Sequence, residues 1–145
     1  MREILFRGKT SSGKWVYGNY AESARSMVAG RKAHKAWIIS GFTSNGGWIT
    51  PLGRYPVDED TVGEYTDFTD DNGIKVFDGD ILKAKSEYCD FYVYVRVYFI
   101  NGRYCVGDNG CDYISTLDTF ILRNSEITVA GNMHDNPELL KGESK

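Results

Sequence analysis

The sequence predicts a mainly β protein with little helix, and three observations carry this prediction. Aromatic residues make up 14% of the 145-residue chain, with 10 Tyr and 7 Phe, and aromatic residues favour strands. The chain has 16 Gly and only 3 Pro, so glycine-containing turns separate its apolar runs. The segment 91–100 alternates valine with tyrosine or arginine, which is typical of a strand with one apolar face. Many short strands predict a small barrel or a pair of curled sheets.

Length and charge limit the classes of protein to which the chain can belong. A chain of 145 residues is expected to form one domain, or one domain with a small appended lobe. The net charge of −3 and the pI near 5.4 argue against a nucleic-acid binder that relies on its overall charge. The chain contains no apolar run near the roughly 20 residues that span a bilayer. Its N-terminus has no apolar signal region, so we expect a cytoplasmic protein without a membrane partner.

Cysteine and histidine residues give little support for a metal site or a catalytic site. Cys89, Cys105 and Cys111 are an odd, scattered set, which is typical of reduced thiols. Structural zinc sites usually contain a closely spaced cysteine pair, and the chain has none. We therefore expect no metal, no cofactor and no enzymatic activity. The enzyme alternative would pair Cys105 or Cys111 with His134, because such pairs meet only in the fold.

The first half, residues 1–60, is predicted to form an N-terminal β lobe. Two β-like runs flank a turn at 11–14, and two more flank Asn45-Gly46-Gly47. Between them, residues 19–36 lose the strand alternation and are predicted to form a basic loop with at most a helical turn or two. Pro51 and Pro56 predict an irregular connection to the second half.

The second half, residues 61–145, is predicted to contain the long strand and a hairpin at Asn101-Gly102. Its acidic turn at 70–73 does not fit a calcium-binding loop, because Phe68 and Gly79 stand where that loop requires acidic residues. Ordinary turn chemistry explains the segment. Asn136-Pro137 predicts a short C-terminal helical turn, because asparagine caps helices and proline suits their first position.

A basic window beside a tryptophan is the first candidate binding site. Residues 19–35 carry four Lys or Arg and one Glu, a net charge of +3. Basic side chains bind phosphate and an aromatic ring stacks on a base, so this window predicts a site for nucleic acid, a nucleotide or another small anionic ligand. A solvated loop is the alternative, because charged runs usually face water. The residues of the candidate site are Arg25, Arg31, Lys32, Lys35 and Trp37.

The tyrosine-bearing face of the long strand is the second candidate. Tyr92, Tyr94 and Tyr98 share one side of an alternating strand, and tyrosine is enriched in protein interfaces. Two interpretations stay open: a second layer of the same chain covers this face, or another subunit does.

Several blocks of sequence, in order along nearly the whole chain, carry a family resemblance. They are Phe6–Lys9, Gly13–Gly18, Thr61–Thr66, Asp71–Gly73, Asp78–Ile81, Gly131–Asn132 and Asn136–Leu140. On these blocks the chain resembles the YopX-like family of phage and prophage proteins. Glu64, Asp67 and Met133-His134 depart from the family pattern, and residues 19–44 match it least.

The resemblance implies a mainly β protein that tends to form homo-oligomers, with a small SH3-like barrel in the second half packed with the N-terminal lobe. It carries no established activity over to particular residues. We therefore expect a non-enzymatic phage or prophage accessory protein in the cytoplasm of a bacterial host, acting as a homo-oligomeric binding or scaffold protein. Its partner would be another copy, a phage or host protein, or a small anionic ligand. The alternative is a nucleic-acid- or nucleotide-binding module that uses residues 25–37.

Overall fold

The computed structural model of the protein describes residues 1–23, 27–28, 31–32, 35–86, 88, 90–108 and 113–141; at 27–28, 31–32 and Asn45 it describes the backbone alone. The prediction of a mainly β protein is confirmed, because antiparallel sheets make up most of the structure. The chain divides into two compact units, Met1–Tyr65 and Thr66–Lys145. The boundary predicted from the sequence, between residues 60 and 61, lies within one long strand, Arg54–Thr69.

The first unit consists of short strands followed by one long strand that continues into the second unit. In chain order they are β1 (Phe6–Lys9), β2 (Trp15–Glu22), β3 (Met27–Val28), β4 (Arg31–Lys32), β5 (Ala36–Ile39), β6 (Phe42–Asn45), β7 (Trp48–Pro51) and β8 (Arg54–Thr69). Two of the ladders stand apart from the main sheet, one between β3 and β4 and one between β6 and β7.

Four strands of the first unit form a closed circuit of antiparallel ladders: β1 pairs with β2, β2 with β5, β5 with β8, and β8 with β1. The circuit encloses a small core of four buried side chains, Val16, Ala36, Ile38 and Val57. Phe6, Tyr20 and Val62 pack against this core. β1 and β5 are paired along both edges, whereas β2 and β8 each pair with β5 along one half and with β1 along the other. This arrangement leaves few open strand edges around a small core.

Gly8 allows two strands of this circuit to approach closely. A Cβ atom built on Gly8 would lie 2.8 Å from Cγ2 of Val57, which is closer than non-bonded carbon atoms approach. Only glycine fits at this position without a shift of Val57.

Two expectations for the first unit need correction. Residues 19–36 were predicted to be a loop, but β2 extends to Glu22 and pairs with β5, and β3 pairs with β4. Tyr20 packs on Phe6 with ring centroids 5.6 Å apart, so tertiary contacts select the strand there. Pro51 and Pro56 do not mark an irregular connection, because Pro51 ends β7 and Pro56 lies within β8.

The second unit is built on a five-stranded antiparallel sheet in the order β13-β12-β11-β10-β14. Its elements are β9 (Lys75–Phe77), β10 (Asp80–Lys85), β11 (Tyr92–Ile100), β12 (Arg103–Gly107), β13 (Tyr113–Thr116), α1 (Leu117–Arg123), β14 (Ser125–Asn132) and a 3-10 helix (Pro137–Lys141). The 3-10 helix occupies the position of the helical turn expected after Asn136. Asn101 and Gly102 both have positive φ angles, 53° and 82°, as the predicted two-residue hairpin turn requires.

The core of the second unit lies between one face of the sheet and α1. Its buried side chains are Val76, Leu82, Ala84, Val95, Val97, Val106, Leu117, Phe120 and Ile127. The helix α1 was not predicted, although Leu117, Phe120 and Ile121 have the spacing of an apolar helix face. The SH3-like barrel of this half stays a prediction.

We predict that Gly8→Ala destabilises the protein by about 1–3 kcal/mol, because the added methyl group overpacks the contact with Val57. Val57→Ala alone also destabilises, since it removes buried methyl groups. The double variant should lose less stability than the two single losses combined, because truncation of Val57 makes room for the new methyl group. Urea denaturation of the four proteins measures the coupling, and strictly additive losses would contradict the close approach.

Candidate functional site

The acidic central turn, residues 70–74, binds backbone groups through the Asp70 carboxylate. Its Oδ1 accepts hydrogen bonds from the N–H groups of Asn72 and Ile74, both at 2.9 Å. Its Oδ2 accepts a third, from the N–H group of Val129 in β14, at 2.9 Å. Asp70 is only 6% exposed. Both oxygens of this buried carboxylate are therefore engaged in holding the turn against β14.

Polar side chains of the family blocks also bind the backbone. Asp71 Oδ2 accepts the N–H group of Ile127 at 2.9 Å, and Asp80 Oδ2 accepts that of Phe77 at 2.7 Å. Within the described ranges, no three His, Cys, Asp or Glu side chains come together as a metal site. These carboxylates connect strands of the second unit.

The last two family blocks, Gly131–Asn132 and Asn136–Leu140, also contain side chains that bind the backbone. Asn132 Oδ1 accepts hydrogen bonds from the N–H groups of His134 and Asp135, both at 2.9 Å. Asn136 Oδ1 accepts the N–H group of Asn132 at 3.3 Å. The two asparagines thus fix the turn between β14 and the 3-10 helix.

The residues of the basic candidate site are only partly described. Arg25 lies outside the described residues, as do the side chains of Arg31 and Lys32. Lys35 Nζ lies 3.7 Å from Glu22 Oε1 and 3.5 Å from Glu59 Oε2. Trp37 is half-buried, and its Nε1 donates a hydrogen bond to Ser23 Oγ at 3.2 Å. The described cation and ring therefore already have partners within the first unit.

The hydroxyl group of Tyr20 lies in the field of Glu22 and Glu59, the two glutamates beside Lys35. This hydroxyl donates a hydrogen bond to Glu22 Oε1 at 2.9 Å. Burial, this hydrogen bond and the charges of Glu22 and Glu59 together raise the pKa of Tyr20 from 10.0 to about 12. The surroundings of this tyrosine thus disfavour a second negative charge.

The tyrosines of the second candidate lie on one side of β11, as the alternation predicted, opposite the buried Val95 and Val97. Tyr92 donates a hydrogen bond to Glu126 Oε1 at 3.2 Å. Lys83 Nζ lies 4.4 Å from the centroid of the Tyr92 ring. Arg96 Cζ lies 4.6 Å from the centroid of the Tyr98 ring. Cations thus lie over two of these rings, at distances that favour attraction.

This tyrosine face is covered at one end and open at the other. Ile81 lies opposite Arg96, and Cys105 lies opposite Tyr98; both are almost fully buried, at 0% and 1% exposed. The 3-10 helix also lies against β11. Tyr92, at the other end of the strand, is 44% exposed. The open end of the face is therefore the one that carries Tyr92.

Two further expectations concern single residues. Phe99 was placed on the apolar face of β11, but it is 53% exposed, because it lies beside the hairpin turn and contacts Tyr104 instead. Cys105 is a buried free thiol in β12. Cys89 and Cys111 lie outside the described residues.

A surface that the sequence analysis missed lies on β6 and β7. Phe42, Trp48, Ile49 and Leu52 are all exposed, Trp48 by 79% and Ile49 by 71%. We call residues 42–52 the apolar arm. Residues 36–53 contain no Asp, Glu, Lys or Arg. This long uncharged run around the turn at Asn45-Gly46-Gly47 is the signal in the sequence that could have predicted the arm, because edge strands usually carry charges.

A small cavity lies between α1 and the sheet of the second unit. Its volume is about 270 Å³, and its lining includes Val93, Phe120 and Arg123.

No helix in the described part of the chain is both long enough and apolar enough to cross a membrane.

Comparisons with known proteins agree with the family blocks. The family model described as YopX protein matches residues 5–141. No curated protein matches the chain. A crystal structure of protein EF1440 from Enterococcus faecalis superposes with a TM-score of 0.65 at 22% sequence identity, covering 97% of this chain and 100% of that one. At this identity the likeness shows a shared fold.

We predict that Asp70→Asn lowers the free energy of unfolding by about 2 kcal/mol. An amide has one acceptor oxygen, so its NH₂ group must face an N–H donor that the carboxylate now binds. Asp67→Asn is the matched control, because Asp67 is exposed and its positive φ of 75° suits asparagine. Urea denaturation compares the two variants, and equal stabilities would contradict a structural role for Asp70.

We predict that Glu22→Gln lowers the pKa of Tyr20 from about 12 towards its ordinary value. Because folding raises this pKa, the associated stability is present below pH 10 and is lost as the pH rises through the folded-state value. Ultraviolet titration of the intact protein and the variant, each compared with Tyr20→Phe, measures the change. Glu138→Gln, in the second unit, is the control. An unchanged Tyr20 titration in Glu22→Gln would refute the assignment.

Proposed function

The chain belongs to the YopX protein family, and we propose that it is a non-enzymatic accessory protein that self-associates and binds its partners through exposed apolar and aromatic surfaces. From the family resemblance we further propose a phage or prophage origin and a place in the cytoplasm of the bacterial host.

The observation that carries this proposal is a contrast between polar and apolar side chains: the polar ones of the family blocks bind the backbone, whereas many large apolar ones are exposed. The acidic and amide residues of the family blocks bind backbone N–H groups, as Asp71 and Asn132 do. Large apolar side chains, by contrast, are exposed on strands of both units, among them Trp48, Ile49, Tyr92, Tyr113 and Ile114. Exposed apolar patches of several hundred Å² mark interaction sites in soluble proteins. These observations therefore support self-association more than catalysis by the polar residues.

In the second unit, we propose the tyrosine face as one of these surfaces, with Tyr92 and Tyr94 at its open end and Tyr98 towards its covered end. Tyrosine and arginine are enriched at the energetically important centres of interfaces. Lys83 and Arg96 lie over two of the tyrosine rings, so the rings are already held in place before a partner binds. Such preorganisation lowers the entropy lost on association.

Two described residues of the nucleic-acid-binding alternative are already engaged within the first unit. Lys35 lies near two glutamates and Trp37 is half-buried with its indole N–H bound. Stacking on a base requires an accessible ring, and binding to phosphate requires a cation that is not already neutralised.

We predict that light scattering at micromolar concentration gives a mass well above the 16.3 kDa of one chain. Replacing both Tyr92 and Tyr94 with Ser should lower that mass, because it removes the accessible aromatic surface. Tyr17→Ser is the control, since Tyr17 is similarly exposed, at 48%, on a strand of the first unit. A monomeric mass for the intact chain would refute the proposal.

A further inference from the structure

The apolar arm is the distal end of a long two-stranded ribbon. The proximal part is the β5–β8 ladder, which runs from Ala36↔Val57 to Ile39↔Arg54. Hydrogen bonds from Ser40 N to Gly53 O and from Leu52 N to Gly41 O, at 3.0 and 2.7 Å, continue it. The β6–β7 ladder follows in the same register, from Phe42↔Pro51 to Asn45↔Trp48. The ribbon is therefore one antiparallel pair without a slip in register.

The two parts of the ribbon differ in their surroundings. The proximal part belongs to the closed circuit, and its Ala36 and Ile38 are 1% and 0% exposed. Beyond it, β6 and β7 pair with each other and with no other strand of the described chain. Both edges of the arm are thus open, and an isolated two-stranded hairpin is only marginally stable in water.

The arm is nevertheless built as a regular hairpin. Its turn residues Gly46 and Gly47 have φ angles of 59° and 89°, the positive values that a two-residue turn joining twisted strands requires. The register places Phe42, Ile49 and Pro51 on one face together with Ser44, and Trp48 on the other face. The arm therefore presents an ordered apolar surface with backbone donors and acceptors along its edges.

The arm lacks the charged side chains that usually keep strand edges from pairing. Natural edge strands usually carry charged residues, most often lysine, to prevent edge-to-edge contact. Residues 36–53 contain no charged side chain. In a two-fold symmetric contact the same patch meets itself, so like charges would oppose each other there. An uncharged arm meets a second copy of itself without this repulsion.

The exposed area of one face of the arm fits a small contact between two copies. Phe42 and Ile49, which share this face, are 49% and 71% exposed, and side chains of this size together carry on the order of 250 Å² of exposed surface. Two arms that meet through this face would bury roughly 500 Å², which is less than a complete specific interface. The arm contact would therefore act together with the tyrosine face proposed above.

From these observations we infer that the apolar arm is a contact by which the chain pairs with a second copy of itself, arm against arm. This inference rests on the proposed self-association and names its partner and its surface. It places a symmetric contact on the first unit, separate in sequence from the tyrosines of β11.

Charge exchange at Ser44 tests the inference, because Ser44 is exposed and lies opposite Ile49 on the face that carries Phe42. Ser44→Lys and Ser44→Glu each place like charges in an arm-to-arm contact, so each variant should show a lower light-scattering mass than the intact chain. An equimolar mixture of the two should recover the mass of the intact chain, since opposite charges then meet. Leu122→Gln, which changes an 85% exposed leucine of α1, is the control and should leave the mass unchanged.

A second pair of variants tests which face of the arm is in contact. Ile49 is 71% exposed on the face of Ser44, whereas Trp48 is 79% exposed on the opposite face. Ile49→Thr should therefore lower the light-scattering mass, and Trp48→Thr should keep it. Threonine keeps the strand propensity, and circular dichroism checks the fold of both variants. An unchanged mass for Ile49→Thr would contradict the inference.

The outcomes separate this inference from the proposed function. If the intact chain is an oligomer and both Ser44 variants keep its mass, the arm inference fails while self-association stands. If each variant loses mass and the mixture does not recover it, the arm does not face a second arm and the inference fails as well. A monomeric intact chain would overturn both.

Discussion

The fold of the second unit depends on one buried carboxylate. Asp70 accepts three backbone N–H groups, two from its own turn and one from β14. A buried carboxylate is costly unless its oxygens are hydrogen-bonded, and here both oxygens are. The turn is thereby fixed to a strand that lies 59 positions further along the chain. The acidic turn, which fails the pattern of a calcium-binding loop, is thus a structural link between the turn and β14.

The first unit has a small core, in which four of the described side chains are buried together. Four strands pair in a closed circuit around this core, so hydrogen bonds between the strands add to the stability that the small apolar interior provides. Beyond the circuit, the ribbon of β5 and β8 continues into the apolar arm. The unit therefore combines a tightly paired base with an arm whose apolar side chains face solvent.

Most of the strands could be predicted from the sequence, since alternation and turn residues are local signals. The alternation in β11 and the Asn101-Gly102 hairpin are examples. The extension of β2 through residues 19–22 was missed, because its strand conformation comes from pairing with β5 and from the contact of Tyr20 with Phe6. Helix α1 was missed because seven residues give a short period that a strand-rich context obscures.

By itself, the sequence determined the β class, the positions of the main turns and the family blocks, because turn chemistry and strand period are written in neighbouring residues. Only the tertiary structure decided which polar residues are consumed in hydrogen bonds and which apolar ones stay exposed. Asp70 and Trp48 show the reason: burial depends on residues distant in sequence, so a buried aspartate and an exposed tryptophan both contradict what their residue types suggest.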